Sequence, residues 1–260
     1  MTTITPSQPC LTSNDSAVLQ ALFDAESSPS SGITIDSNLP SWSAIVNISQ
    51  QDLATLNNRE AEIIRKLQDS ENPSQKTIQS ALDALDALIS KYPTYPPAYT
   101  NRAQTIRLLV DTQYKQSHPE NTDSSDDALF TPEAADFSSR IFADLGQAIT
   151  LATPSSPADA LSTVQARLLA DAHTHRGYLL LKAARVKKNT VLPPMEEVGP
   201  ERLRGLSADE LEEMASRDFF LGGRFGNKIA QQLAVQTNPY AKMCGAIVKE
   251  AMRKEVEGDK

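Results

Sequence analysis

Apolar residues recur at steps of three and four along most of the chain from about residue 49. In the first such stretch they are Leu53, Leu56, Ala61, Ile64 and Leu67. This period places them on one face of an α-helix, whereas a half-buried strand would show strict alternation. The same period returns in each later stretch, and we find no credible strand. The pattern predicts an all-α protein.

Capping residues, prolines and glycines divide this region into successive helices. Ser74 is predicted to cap the second helix, and Pro96 opens the next, where the missing N–H of proline costs no hydrogen bond. Pro157 is predicted to begin the longest helix, over about 158–188. Later, Ser207 and Glu210 form a predicted capping box. The helices are expected to pair over about 49–93, 96–153 and 158–223, with further helices in 227–256.

The remaining sequence is polar and rich in turn-forming residues. Residues 1–48 are predicted to be a flexible leader with one short apolar helix at about 15–23. Residues 116–139 contain six acidic residues and no Lys or Arg, so we expect a solvated, mobile insertion there. Residues 189–206 are predicted to be a second insertion. The folded domain is therefore expected to span 49–256.

Small residues within the helix pairs have the spacing of a tetratricopeptide repeat, a unit of about 34 residues and two helices. Ala103 and Gly177 fall where paired helices approach most closely, and Ala81 and Ala215 occupy comparable positions. Three units are about the minimum for a stable stack. The sequence predicts an α-solenoid of three tetratricopeptide helix pairs, with a short N-terminal helix and C-terminal capping helices.

Five segments resemble the tetratricopeptide repeat protein 36 family, and the first and last of them lie outside the repeat consensus. They are Asn14-Asp15-x-Ala17-Val18-Leu19-Gln20-Ala21-Leu22-Phe23, Ala98-Tyr99-x-Asn101-Arg102-Ala103-Gln104, Arg176-Gly177, Arg217-Asp218-Phe219 and Asn238-Pro239-Tyr240-Ala241-x-x-Cys244. The resemblance implies a non-enzymatic, three-repeat helical adaptor. It also implies association with chaperones and a link to tyrosine metabolism.

Charge and targeting signals narrow the partners and the compartment. The chain has 260 residues and a formal net charge of −8, which argues against general binding to nucleic acid. It has no run of about 18 apolar residues, so no membrane span is expected. The residues after Met1 show no signal-peptide pattern, and Cys10 and Cys244 form no disulfide framework or metal motif. We expect a cytoplasmic protein, with the nucleus as the alternative.

Some tetratricopeptide proteins hold acidic chaperone tails with a set of side chains called the carboxylate clamp. The positions of this clamp indicate candidate partner-binding residues. A terminal carboxylate needs several charge-assisted donors on the concave groove. Asn101 stands at the clamp's second-repeat Asn position, beside Arg102. The third-repeat Lys and Arg positions fall at Asp171 and His175, so the clamp is incomplete. We take Asn101, Arg102 and His175 as candidate partner contacts, and a helix-packing role for Asn101 as the alternative.

The nearest first-repeat equivalents of the clamp are Asn58 and Glu62. His173 and His175 point about 200° apart on a helix, which does not suit a shared metal. Phosphate-loop, zinc-protease and serine-nucleophile motifs do not occur. We therefore expect no catalytic residue, metal or cofactor.

The predicted function is an adaptor that receives a protein or peptide, with a chaperone tail as one candidate. The alternative is a structural subunit of a larger assembly, whose groove is filled by its own N-terminal helix.

Overall fold

The computed structural model describes residues 33–42, 48–118, 125–156, 159–189, 200–238 and 253. All of them belong to the unit formed by residues 33–260. The predicted helix at 15–23 and the predicted helix after Asn238 lie outside the described residues, apart from Arg253.

The described part of the chain is mostly helical, which confirms the prediction of an all-α protein. It contains seven α-helices: α1 (Gln50–Gln68), α2 (Gln75–Lys91), α3 (Pro96–Ser117), α4 (Ala135–Ala152), α5 (Thr163–Asn189), α6 (Ala208–Arg224) and α7 (Lys228–Thr237). Three short 3₁₀ turns cover Ser125–Phe130, Pro132–Ala134 and Glu201–Leu203.

The predicted helix caps are observed. The Ser74 hydroxyl accepts from the Thr77 backbone N–H at 3.1 Å at the start of α2. Ser207 and Glu210 form a reciprocal capping box at the start of α6. Each cap satisfies backbone N–H groups that have no partner within the helix. Local side-chain chemistry therefore sets where these helices begin.

Each helix packs against the next one along the chain, from α1 to α7. The contacts are made by the apolar stripes, and Leu85, Ile106, Leu145, Leu169 and Phe219 are completely buried. Burying one such side chain contributes roughly 1.5–3 kcal/mol. The core thus forms between consecutive helices.

Small residues allow α5 and α6 to approach closely, as predicted for Gly177. A Cβ at Gly177 would lie 3.1 Å from the ring of Phe219 and 3.2 Å from the carbonyl oxygen of Ala215. Both distances are tight for a Cβ contact, so α6 rests almost directly on the α5 backbone.

The expectation that the chain contains no strand is wrong by one short pair. Strands β1 (Ile35–Asp36) and β2 (Leu161–Ser162) pair in parallel, with Ile35 opposite Leu161. Two residues are too short to produce an alternating pattern. Because Leu161 and Ser162 are extended, α5 begins at Thr163 rather than near 158. The pair also attaches residues 33–42, which the sequence analysis assigned to the leader, to the helical unit.

Part of the acidic insertion is also packed, contrary to the prediction of a solvated segment. Leu129 and Phe130 are buried in the core. The Ser138 hydroxyl donates to the carbonyl oxygen of Leu129 at 2.6 Å and anchors this turn to α4. Part of the second insertion is fixed by Lys187, whose ammonium donates to three carbonyl oxygens, those of Leu203, Arg204 and Leu206.

Candidate ligand-binding groove

An open cavity of about 570 Å³ lies along one face of the helices α1, α3 and α5. We call it the groove. Its lining residues are Ser41, Trp42, Asn57, Glu60, Ala61, Ile64, Tyr95, Pro97, Thr100, Asn101, Gln104, Leu145, Val164, Arg167, Leu168, Asp171, Ala172 and His175.

Helical spacing explains why these residues share one surface. On α1 the lining residues run from Asn57 to Ile64, and on α3 from Pro97 to Gln104, each at steps of three, one and three. Residues three and four apart are neighbours on a helix face. The lining residues of α5, from Val164 to His175, follow the same rule. Each of the three helices therefore contributes one continuous face to the groove.

Glu60 is the centre of a hydrogen-bond cluster in the groove. The Asn101 side-chain amide donates to Glu60 Oε1 at 2.5 Å, and the Tyr95 hydroxyl donates to Glu60 Oε2. The same hydroxyl lies 2.9 Å from Oδ1 of Asn57. These contacts join α1 to Asn101 on α3 and to Tyr95, which directly precedes α3. They fix the Glu60 carboxylate in one orientation.

Burial controls the protonation of this cluster. Burial raises the pKa of the Glu60 carboxyl above its ordinary value, although the hydrogen bonds from Tyr95 and Asn101 oppose the shift. Burial and the adjoining Glu60 also raise the pKa of the Tyr95 hydroxyl. Tyr95 therefore remains a donor at neutral pH. Both described donors to Glu60 are neutral groups, so neither brings a positive charge to its carboxylate.

The structure brings together two of the three predicted partner contacts. Asn101 and His175 both line the groove, whereas Arg102 does not. The Arg102 guanidinium forms a bidentate pair with Asp144, at 2.8 and 2.5 Å, and a further bond to Asp86 at 2.7 Å. Adjacent residues on a helix point about 100° apart, so Arg102 points into the helix packing behind the groove. Partner binding by these residues stays a prediction.

Sequence reasoning missed Glu60 and Tyr95. The clamp alignment pointed to Asn58 and Glu62, but both are exposed outside the groove lining, and Glu62 pairs with Lys66 at 2.9 Å. The available signal was the matching spacing of the lining residues on α1 and α3. Tyr95 follows no helical pattern, because it precedes α3.

Trp42 was also missed. It is buried, and its ring packs edge-on against Tyr95, with centroids 6.4 Å apart and an angle of 75° between the planes. Ser162 holds this segment by donating from its hydroxyl to the Ser41 carbonyl oxygen at 3.0 Å. The segment before α1 thus forms part of the groove wall.

The described residues of the groove lining include two carboxylates and one permanently charged cation. Glu60 and Asp171 are acidic, and Arg167 lies 4.0 Å from Asp171 with 86% of its side chain exposed. An acidic tail would need several cationic donors converging on it. This lining supplies a poor match for an acidic tail.

Neither a metal cluster nor a membrane-spanning helix is found in the described ranges. The His, Cys, Asp and Glu side chains there form no group of three that could hold a metal ion. None of the helices in the same ranges combines the length and apolar character that a bilayer span requires.

The fold and the groove define the protein as an all-α chain of consecutively packed helices with an open groove on one face. No family model and no solved structure matches the chain. The chain is similar to known proteins at the level of sequence. It is 63% identical over 258 residues to the L-tyrosine degradation gene cluster protein hmgX of Aspergillus fumigatus, covering 99% of this chain and 98% of the relative. The chain belongs to the hmgX family.

A second relative is more distant. Tetratricopeptide repeat protein 36 of Danio rerio is 26% identical over 246 residues, covering 93% of this chain and 92% of the relative. This match supports a distant relationship to the family that the sequence motifs resemble.

Proposed function

We propose that this protein is a non-catalytic adaptor in L-tyrosine degradation, which receives a segment of a partner protein in the groove. The observation that carries the proposal is the groove itself, formed by one face of each of the helices α1, α3 and α5. Support for the pathway comes from the hmgX relative, whose name places it in an L-tyrosine degradation gene cluster. We place the adaptor in the cytoplasm.

We propose further that the helices form a tetratricopeptide solenoid, an architecture that suits an adaptor. In this reading α1–α2, α3–α4 and α5–α6 are the three helix pairs, and α7 follows them. Support comes from the packing of each helix on the next, from the close approach at Gly177, and from the zebrafish relative. The first helix of each pair would then line the concave surface, where such proteins bind ligands.

The proposal is tested by blocking the groove without disturbing the core. Val164 lines the groove and is 44% exposed, so Val164→Arg adds a bulky charge there at little cost in folding. Val235, on α7, is 47% exposed and does not line the groove, so Val235→Arg is the matched control. Circular dichroism should show the same helicity for both variants.

We expect the tagged full-length chain to capture an L-tyrosine-degrading enzyme or another protein of that pathway from the native lysate. Val235→Arg should capture it equally well, and Val164→Arg should not. Equal capture by both variants would refute binding in the groove. Turnover of L-tyrosine or of its breakdown products by the purified protein would refute the non-catalytic part.

A further inference from the structure

The polar part of the groove is centred on an acceptor. Glu60 is held by two donors, one on each carboxylate oxygen, from Asn101 and Tyr95. An ionised carboxylate offers about four acceptor positions, so two remain for a ligand. Because the two protein donors fix its orientation, the carboxylate is preorganised to accept further hydrogen bonds.

We propose that the groove binds a basic side chain of its partner, the guanidinium of an arginine or the ammonium of a lysine, against Glu60. This inference rests on the proposed function and specifies the ligand of the same groove. It gives the groove the opposite polarity to a carboxylate clamp, in which basic side chains receive an acidic tail.

The surrounding lining matches such a side chain. Ile64, Val164 and Leu168 provide apolar surface for the methylene stem, which arginine and lysine bury while the charged end reaches a polar partner. Asp171 supplies a second carboxylate in the same groove. Arg167, the competing cation, is largely in solvent and contacts Asp171 only at 4.0 Å.

Electrostatics favours a basic ligand over an acidic one beside Glu60. A cation beside Glu60 would form a charge-assisted hydrogen bond, in a place where burial weakens screening by water. A ligand carboxylate at the same position would meet a like charge. Among the described residues, the donors to Glu60 are a neutral hydroxyl and a neutral amide, so a basic ligand would bring a positive charge that these donors do not supply.

The test uses three labelled twelve-residue peptides with an alanine- and leucine-based sequence and amidated C-termini. They differ only at the central residue, which is arginine, its neutral isostere citrulline, or glutamate. Binding to the full-length chain is measured by fluorescence anisotropy. We expect the arginine peptide to bind at least about tenfold more tightly than the citrulline peptide, since a hydrogen bond to a charged group contributes at least that much. The glutamate peptide should bind most weakly.

Two variants assign the effect to the groove. Glu60→Gln keeps the side-chain shape and removes the charge, so it should weaken the arginine peptide about tenfold and leave the citrulline peptide unchanged. Glu62→Gln removes the same charge from the exposed side of α1 and should change neither affinity. If Glu60→Gln does not fold, salt titration of the wild-type chain replaces it. Added salt should then weaken the arginine peptide far more than the citrulline peptide.

Equal affinities for arginine and citrulline, or tightest binding of glutamate, would overturn the inference. If the arginine and citrulline peptides bind equally well to the wild-type chain but no longer bind to Val164→Arg, the proposed groove function still stands. Binding of none of the peptides would also overturn it, and partner capture from the lysate would then decide the proposed function separately.

Discussion

Replacing Arg102 by methionine is expected to destabilise the fold rather than remove a partner contact. Its guanidinium holds Asp144 on α4 with two hydrogen bonds and Asp86 on α2 with one. Only 14% of the Arg102 side chain and 4% of the Asp144 side chain are exposed. Methionine fills similar space but leaves the Asp144 carboxylate buried without its cation.

The magnitude follows from this burial. Removing one partner of a buried ion pair costs about 3–5 kcal/mol, because the remaining charge has neither water nor a counterion. Asp86 adds less to this figure, since it is more exposed and also bonds Arg140. For a domain of this size each kcal/mol lowers the melting temperature by roughly 2–4 °C, so we expect a decrease of roughly 6–20 °C.

The assay is urea unfolding followed by circular dichroism at pH 7. The double variant Arg102→Met/Asp144→Leu should recover most of the lost stability, because both charges are removed together. A loss below about 1 kcal/mol for Arg102→Met would refute the reasoning. If instead the variant keeps its stability but loses the partner, Arg102 contacts the ligand, as the sequence analysis suggested.

Three further substitutions test other parts of the structure. Gly222→Ala should destabilise the chain by about 1–3 kcal/mol in urea unfolding, since its Cβ would lie 2.7 Å from the Thr174 hydroxyl and 3.2 Å from a carbonyl oxygen of α5. Lys187→Met should cost about 1.5–3 kcal/mol and speed proteolysis near residue 204, because three carbonyl oxygens lose one charged donor. Burial alone would raise the pKa of Asp218, but its bonds to Arg176 and His173 outweigh burial and lower it. Stability from Asp218 is therefore present above the ordinary aspartate pKa and lost as pH falls through the lowered one, and Asp218→Asn should flatten the acid limb of a plot of stability against pH.

The helices were predictable because their signals are local. Ser74 and the pair Ser207 and Glu210 act on backbone groups within one turn, so the sequence alone identifies where α2 and α6 begin. The two-residue strands were not predictable, because the pairing of Ile35 with Leu161 joins positions 126 residues apart and leaves no periodic pattern. The buried turn at Leu129 was hidden for a related reason. Leu129 and Phe130 lie within an acidic stretch, and their burial becomes evident only from the packing of α4 against them.

The groove was predictable only in part. The candidates Asn101 and His175 lie in it because each was assigned to a helix with a clear register. On α1 the alignment selected Asn58 and Glu62, although the groove face contains Asn57 and Glu60. The offset of one residue from Asn57 to Asn58 turns the side chain by about 100°, and the offset of two from Glu60 to Glu62 turns it by about 200°. Either offset exchanges a groove residue for one outside the lining. The place of Tyr95 in the groove could be recognised only from the fold, because its hydrogen bond to Glu60 joins residues 35 positions apart in the sequence.

Two acidic residues of the same structure show why charge alone does not mark a binding site. Asp144 is buried behind the groove, and Arg102 compensates its charge with a bidentate pair, so this carboxylate contributes to the fold. Glu60 is also largely buried, but its partners among the described residues are a neutral hydroxyl and a neutral amide. A carboxylate held only by neutral donors can still gain a charge-assisted bond when a cation arrives. The neutral partners, Tyr95 and Asn101, therefore give Glu60 a fixed position without cancelling its attraction for a basic ligand.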